Sequence, residues 1–183
     1  MKRALVILAS GAEEMETVIT VDVLRRGGIE VTLAGLDGAG AVTCSRNVKV
    51  VPDCALSDAQ GMFDVIVLPG GAKGAENLAQ SLAVQKLLQA QEKSGRLIAA
   101  VCAAPIALAA AGVAKGLELT SHPSVKEKVA IHGKYSEARV VRDGKVITSR
   151  GPGTTFEFAL ALVQALEGEE AAKKVADPML LPK

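Results

Sequence analysis

The chain has no tryptophan, 1 tyrosine and 3 phenylalanines among 183 residues. Proteins that grip single-stranded nucleic acid stack bases on aromatic rings, and this chain lacks the rings to do so. An excess of one charge is missing too. Lys and Arg number 21 against 20 Asp and Glu, a net charge of +1 with histidine neutral. Sequence-specific nucleic-acid binding needs a basic footprint that this balance does not provide. Cysteine and histidine are scarce. Cys44, Cys54 and Cys102 form no CxxC pair, and His122 and His132 are too far apart for an i, i+4 metal pair. A disulfide framework and a zinc site are therefore not expected. Reduced thiols fit a cytoplasmic protein, or in a eukaryote a nuclear or mitochondrial one. No apolar run approaches the roughly 20 residues of a membrane span. Lys2 and Arg3 precede the apolar run Ala4–Ala9, which resembles a signal peptide. That run is shorter than the roughly 7–15 residues of a signal core, and Glu13 and Glu14 follow closely, so a buried first strand is expected instead.

What is present is apolar mass: 49% of the chain, with 18 glycines. This predicts one domain over residues 1–183 with a sizeable core. Ala4–Leu8, Val31–Ala34, Val65–Leu68 and Leu97–Val101 are short continuous apolar runs. Strands buried on both faces have this composition, which favours a parallel sheet covered by helices. Met15–Arg26, Leu82–Lys93, Thr155–Leu166 and Glu169–Ala176 carry helical patterns, and Gly27-Gly28 is a stop signal. Val140–Ser149 reads as a hairpin around Asp143-Gly144, and Val42–Val51 as a shorter ribbon. The expected fold is α/β: a doubly wound, mostly parallel sheet with helices on both faces and a small antiparallel insert. Ligands of such sheets bind beyond the carboxyl ends of the strands, here after Leu8, Leu68 and Val101.

Cys102 ends the last of these runs and precedes the helix-prone Ala103–Ala111. A nucleophile at a sharp strand-to-helix turn is aimed into open space beside a helix N-terminus, whose partial positive charge favours thiolate. A small cysteine in an alanine-rich core is the alternative reading of the same residues. Thiolate formation by itself achieves little. At pH 7 about 3% of an ordinary thiol is ionised, and lowering its pKa by about two gives about 75%. Nucleophilicity falls about eightfold meanwhile, a net gain of about threefold. Positioning and oxyanion donors must supply the rest.

Gly70 and Gly71 follow the third strand, and the N–H groups of Gly71 and Ala103 are candidate oxyanion donors; an ordinary loop is the alternative. The run Gly70–Gly74 matches no phosphate-binding motif. Glu13, Glu14 and Glu16 suit a helix start. Of the three, Glu16 is the one placed to reach across the strand ends. Against Cys102 the two groups would not both ionise cheaply, so a protonated Glu16 able to shuttle a proton is expected. His122 is a candidate base or orienting group, or a solvated loop residue. Arg26, Arg46 and Arg150 are candidate anchors at a pocket or interface.

Five stretches together resemble the Parkinson-associated deglycase group of the ThiJ/PfpI superfamily. They are Ala4–Ala9, Gly11–Thr17, Val67–Gly71, Leu97–Ala103 and Thr148–Thr154. The resemblance implies a flavodoxin-like, cofactor-free homodimer in which Cys102 is the nucleophile and oxidation-sensitive thiol. Glu16 would be its acid/base partner, His122 a neighbour of the pocket, and Gly71 and Ala103 the oxyanion donors. It implies glutathione-independent conversion of methylglyoxal to lactate, deglycation of early adducts on proteins and nucleotides, and a part in oxidative-stress defence. A redox-sensing chaperone with glycated or misfolded clients is the alternative it implies. Cys44 would lie near the dimer contact. Ala104 and Ala72 depart from relatives that carry Gly and an amide there. A peptidase is disfavoured, since related peptidases place His directly after the nucleophile and this chain has Ala103.

Overall fold

The computed structural model describes residues 1–181. The first half runs β1 (Arg3–Leu8), α1 (Glu14–Arg26), β2 (Glu30–Gly35), β3 (Val42–Thr43), β4 (Lys49–Val50), β5 (Cys54–Ala55), β6 (Val65–Leu68), α2 (Ala72–Gln80), α3 (Leu82–Lys93) and β7 (Leu97–Val101). The second runs α4 (Pro105–Ala111), β8 (Glu118–Leu119), α5 (Lys126–His132), β9 (Lys134–Tyr135), β10 (Val140–Asp143), β11 (Val146–Ser149), α6 (Thr155–Glu167) and α7 (Glu169–Ala176). Seven strands form one sheet in the order β10-β11-β7-β6-β1-β2-β5, parallel throughout except for the edge strand β10.

The apolar runs behave as two-faced strands. Along β1, Ala4, Val6 and Leu8 enter one core, with α1 and α6 above it. Leu5, Ile7 and Ala9 enter the other, under α2, α3 and α4. Each fully buried Leu or Ile contributes about 1.5–3 kcal/mol, so one central strand stabilises both layers.

Helix α1 begins where the Glu13 carboxylate accepts the Glu16 N–H at 2.8 Å. It ends at Gly27-Gly28, where Gly28 takes φ +74° and Ile29 N–H closes back on Leu24 O at 3.1 Å.

Two expectations need correction. The hairpin is an edge of the main sheet: β11 pairs in parallel with β7, while β3–β4 and β8–β9 form separate two-stranded sheets. Its two-residue loop is Gly144-Lys145, because Asp143 pairs with Val146. Only Gly144 takes positive φ, +57°. That suits glycine at the first central position of a hairpin turn and does not meet the type I′ demand for two such residues. The helix after Cys102 starts later than expected, at Pro105, whose missing N–H costs nothing in a first turn. Among the described residues, no helix is long and apolar enough to cross a membrane.

Candidate active site

The ends of β1, β6 and β7 converge at one point. Cys102 takes φ +62°, in the left-handed region that costs a non-glycine residue about 1–3 kcal/mol. Neighbours hold it there. Its N–H donates to Ser149 O at 3.0 Å, and its carbonyl accepts the His122 N–H at 2.8 Å. Ala104 N–H closes the turn onto Val101 O at 3.0 Å. The residue is 9% exposed. The Gly71 and Ala103 N–H groups both point at the sulfur.

Glu16 comes from the first turn of α1 and is fully buried. Its Oε2 accepts the Gly70 N–H at 2.7 Å, and its Oε1 has no hydrogen-bond partner among the described residues. Burial drives its pKa up from 4.5 to about 7, against the bonds from Gly70 and Cys102 that lower it. Burial, then the charge of Glu16, push the Cys102 thiol up to about 12, opposed by the Gly71 and Ala103 N–H groups. This corrects the preformed thiolate expected from a helix terminus: α4 has only seven residues and starts three positions on, and desolvation outweighs its field. The protonation of the pair is shared, with Glu16 the group poised to exchange its proton near neutrality.

Gly70 makes this contact geometrically allowed. A methyl on Gly70 would lie 2.5 Å from Cys102 Cβ, 2.8 Å from Glu16 Oε2 and 2.8 Å from Val101 O. Gly70→Ala is expected to lower stability by about 1–3 kcal/mol and to separate thiol from carboxyl. Denaturant melts and the rate of Cys102 alkylation check this; a variant with wild-type values for both would show that the contact tolerates a side chain.

The other candidates sort differently. His122 is exposed, tied to the elbow by its backbone, and caps a short helical turn, with the Ser124 N–H 3.2 Å and Oγ 2.8 Å from Nδ1. Sequence reasoning missed Ser124. The signal was available in His122-Pro123-Ser124, since Pro opens a helical turn and the residue before it occupies the capping position. Arg150 is half-buried and reaches Ser121 O and Glu137 O. Arg26 pairs with Asp22 on α1, and Arg46 lies exposed with its guanidinium on Ser45 O, so neither contacts the thiol within this chain. Glu13 caps α1, while Glu14 fixes the ribbon by accepting from Ser45 Oγ at 2.7 Å and Arg46 N at 2.8 Å. Cys44 and Cys54 are free thiols whose pKa values are raised by burial and then by neighbouring carboxylates. The α7 tail packs on α6, and Ala176, Asp177 and Leu181 border a cavity with Arg139 and Gly153. Arg139 and Gly153 also line the groove at His122. Among the described residues, no cluster of three or more His, Cys, Asp or Glu is placed to hold a metal.

A cysteine on a strained strand-to-helix bend, with two amides and a buried carboxyl at its sulfur, defines a class of α/β protein built around one thiol at the sheet's carboxyl edge. The comparisons specify it further: the DJ-1/PfpI family model matches residues 2–165, and the chain belongs to that family. It is 59% identical to the zebrafish (Danio rerio) Parkinson disease protein 7 homolog over 98% of this chain and 97% of that one. Identity is 44% to the Caenorhabditis elegans glutathione-independent glyoxalase DJR-1.2, covering 100% and 98%. The crystal structure of Drosophila melanogaster DJ-1beta matches with a TM-score of 0.97 at 52% identity, covering 100% and 99%. The flavodoxin-like fold expected of the chain is the fold it has.

Proposed function

We propose that the chain is a cofactor-free glyoxalase that converts methylglyoxal and related 2-oxoaldehydes to 2-hydroxy acids, and that also releases early aldehyde adducts from proteins and nucleotides. The observation that carries this reading is the buried Glu16 carboxyl, half-protonated near neutral pH, beside a thiol with two amide donors. The C. elegans relative's name as a glyoxalase supports it.

The chemistry balances without an external oxidant. Glu16 as carboxylate takes the Cys102 proton while sulfur bonds to the aldehyde carbon, and passes it to the alkoxide so formed, giving a hemithioacetal and leaving the carboxylate free for the next step. The oxygen that gains charge meets the Gly71 and Ala103 N–H groups. A proton then leaves the former aldehyde carbon and is returned to the neighbouring carbon through Glu16. The aldehyde carbon is thereby oxidised to a thioester as the ketone is reduced to an alcohol. Water cleaves the thioester to lactate and frees the thiol. A general base so placed removes the need for a standing thiolate. His122 lies at the rim of this site, and a homodimer would bring further groups to it.

The test is lactate formation from methylglyoxal without added thiol or metal, from pH 5 to 9. Because the base form of Glu16 is required, kcat/KM is expected to rise about tenfold per pH unit below about 7 and to level off above it. His122→Gln should keep that ascending limb. No lactate above the uncatalysed rate removes the proposal; a flat profile removes Glu16 from it.

A second reading is favoured by the unpartnered Glu16 Oε1. A protonated carboxyl there would donate to a sulfinate on Cys102, which suits a redox sensor in oxidative-stress defence. A chaperone acting on misfolded clients belongs to the same reading.

A further inference from the structure

The loop carrying His122 is fastened on several sides. Beyond its bond to the elbow, Tyr135 donates its hydroxyl to Ser121 O at 3.1 Å, and Arg150 Nε reaches the same oxygen at 3.4 Å. Among the described residues, the imidazole is held by Ser124 alone. A ring nitrogen that accepts a backbone N–H carries no proton itself, so in the neutral ring the proton sits on Nε2. The opposite tautomer would set two N–H groups against each other at 3.2 Å. The Ser124 hydroxyl, 2.8 Å from the same nitrogen, can donate to it in that tautomer; the backbone N–H alone fixes the direction.

The rest of the ring faces a groove of about 290 Å³ shared with Arg139, Arg150 and Gly151. Its Cδ2 lies 3.7 Å from where a side chain on Gly151 would begin. The groove abuts the elbow, because His122 N–H bonds the Cys102 carbonyl.

We infer that Ser124 is a positioning residue. It locks His122 as the Nε2–H tautomer, so that the imidazole presents a hydrogen-bond donor, not a base, to an oxygen of a small oxo compound in the groove. The identity of that compound rests on the 2-oxoaldehyde reading; the tautomer does not. A groove lined by the His122 ring with its Nε2–H and by Arg150 and Arg139, the latter paired with Glu157, is rich in donors. It therefore suits substrates whose flanks carry acceptor oxygens, and it discriminates against amino-substituted analogues.

Nitrogen-15 NMR of the histidine rings tests this on the full-length protein, with His132→Gln used to assign the two sets of signals. In the wild type, Nδ1 should show the signature of an unprotonated nitrogen and Nε2 that of a protonated one. Ser124→Pro, which removes the N–H in a first turn where its loss is tolerated, should give a mixture of tautomers and lower kcat/KM for methylglyoxal about threefold to tenfold. Ser124→Ala, which keeps the backbone N–H, should retain the wild-type tautomer. A wild-type ring protonated at Nδ1, or a Pro variant whose ring signals match the wild type, overturns the assignment. The expected ring signals with no lactate from any variant would instead remove the substrate reading and leave the tautomer standing.

Discussion

Glu16→Gln should make the protein more stable and nearly inactive at once. In the fold the carboxyl's pKa is raised from 4.5 to about 7. The native state therefore holds the proton more tightly than the unfolded chain does. Below pH 4.5 both states are protonated and the full stability is present; it is lost as pH rises through about 7. Above that, ionised Glu16 costs about 3 kcal/mol. Glutamine carries no charge at any pH, keeps an oxygen for the Gly70 N–H and turns an amide toward the sulfur. The variant should match the wild type near pH 4 and melt several degrees higher at pH 8. Lactate formation should fall by about a hundredfold to ten-thousandfold, the usual contribution of a general base. Thermal melts at the two pH values decide the first half. A variant no more stable at pH 8 would mean that the charge is solvated and that the burial argument is wrong.

Cys102→Ser should abolish turnover while leaving the fold intact. Serine fills nearly the same volume and tolerates the left-handed bend no worse, so stability should stay within about 1 kcal/mol. A hydroxyl is a much poorer nucleophile and leaving group than a thiol. A base with a pKa of about 7 is matched to a thiol far better than to an alcohol. Loss of at least about a thousandfold in kcat/KM is expected. Mild peroxide followed by mass spectrometry separates the two functional readings in the same pair of proteins. If the thiol turns over, wild-type lactate is substantial. If the chain is a sensor, the wild type gains two oxygens at Cys102, makes negligible lactate, and the serine variant gains none. Undiminished lactate from the serine variant would remove the sulfur from the mechanism.

Legibility of the fold tracked burial. β1, β2, β6 and β7 stand out in the sequence because both faces of each are covered, which leaves uninterrupted apolar runs. α2 has no such signature. Its Gly74 weakens the helical pattern, yet the structure needs it there: a side chain on Gly74 would lie 2.6 Å from Ala12 Cα and 2.7 Å from Ala12 N. The two-residue strands β8 and β9 and the seven-residue α5 are too short for any period to show. At the site, the meeting of Cys102 with Glu16 and the Gly70-Gly71 turn was legible from strand ends and glycine pairing. The thiol's ionisation was not. It depends on how much water the packed neighbours exclude, and a helix start in the sequence says nothing of that. Ser124 escaped notice because its partner nitrogen is reached only once the turn after Pro123 is formed.

The single tyrosine has a use beyond its hydroxyl bond. With no tryptophan in the chain, near-ultraviolet excitation at the red edge of phenol absorption lights one ring alone, Tyr135. That ring stacks under the Lys126 ammonium at 5.3 Å and grips the backbone next to His122. Its emission is thus a built-in, label-free reporter of that loop, and a stopped-flow trace during aldehyde capture would time the loop's response against the chemistry at the sulfur.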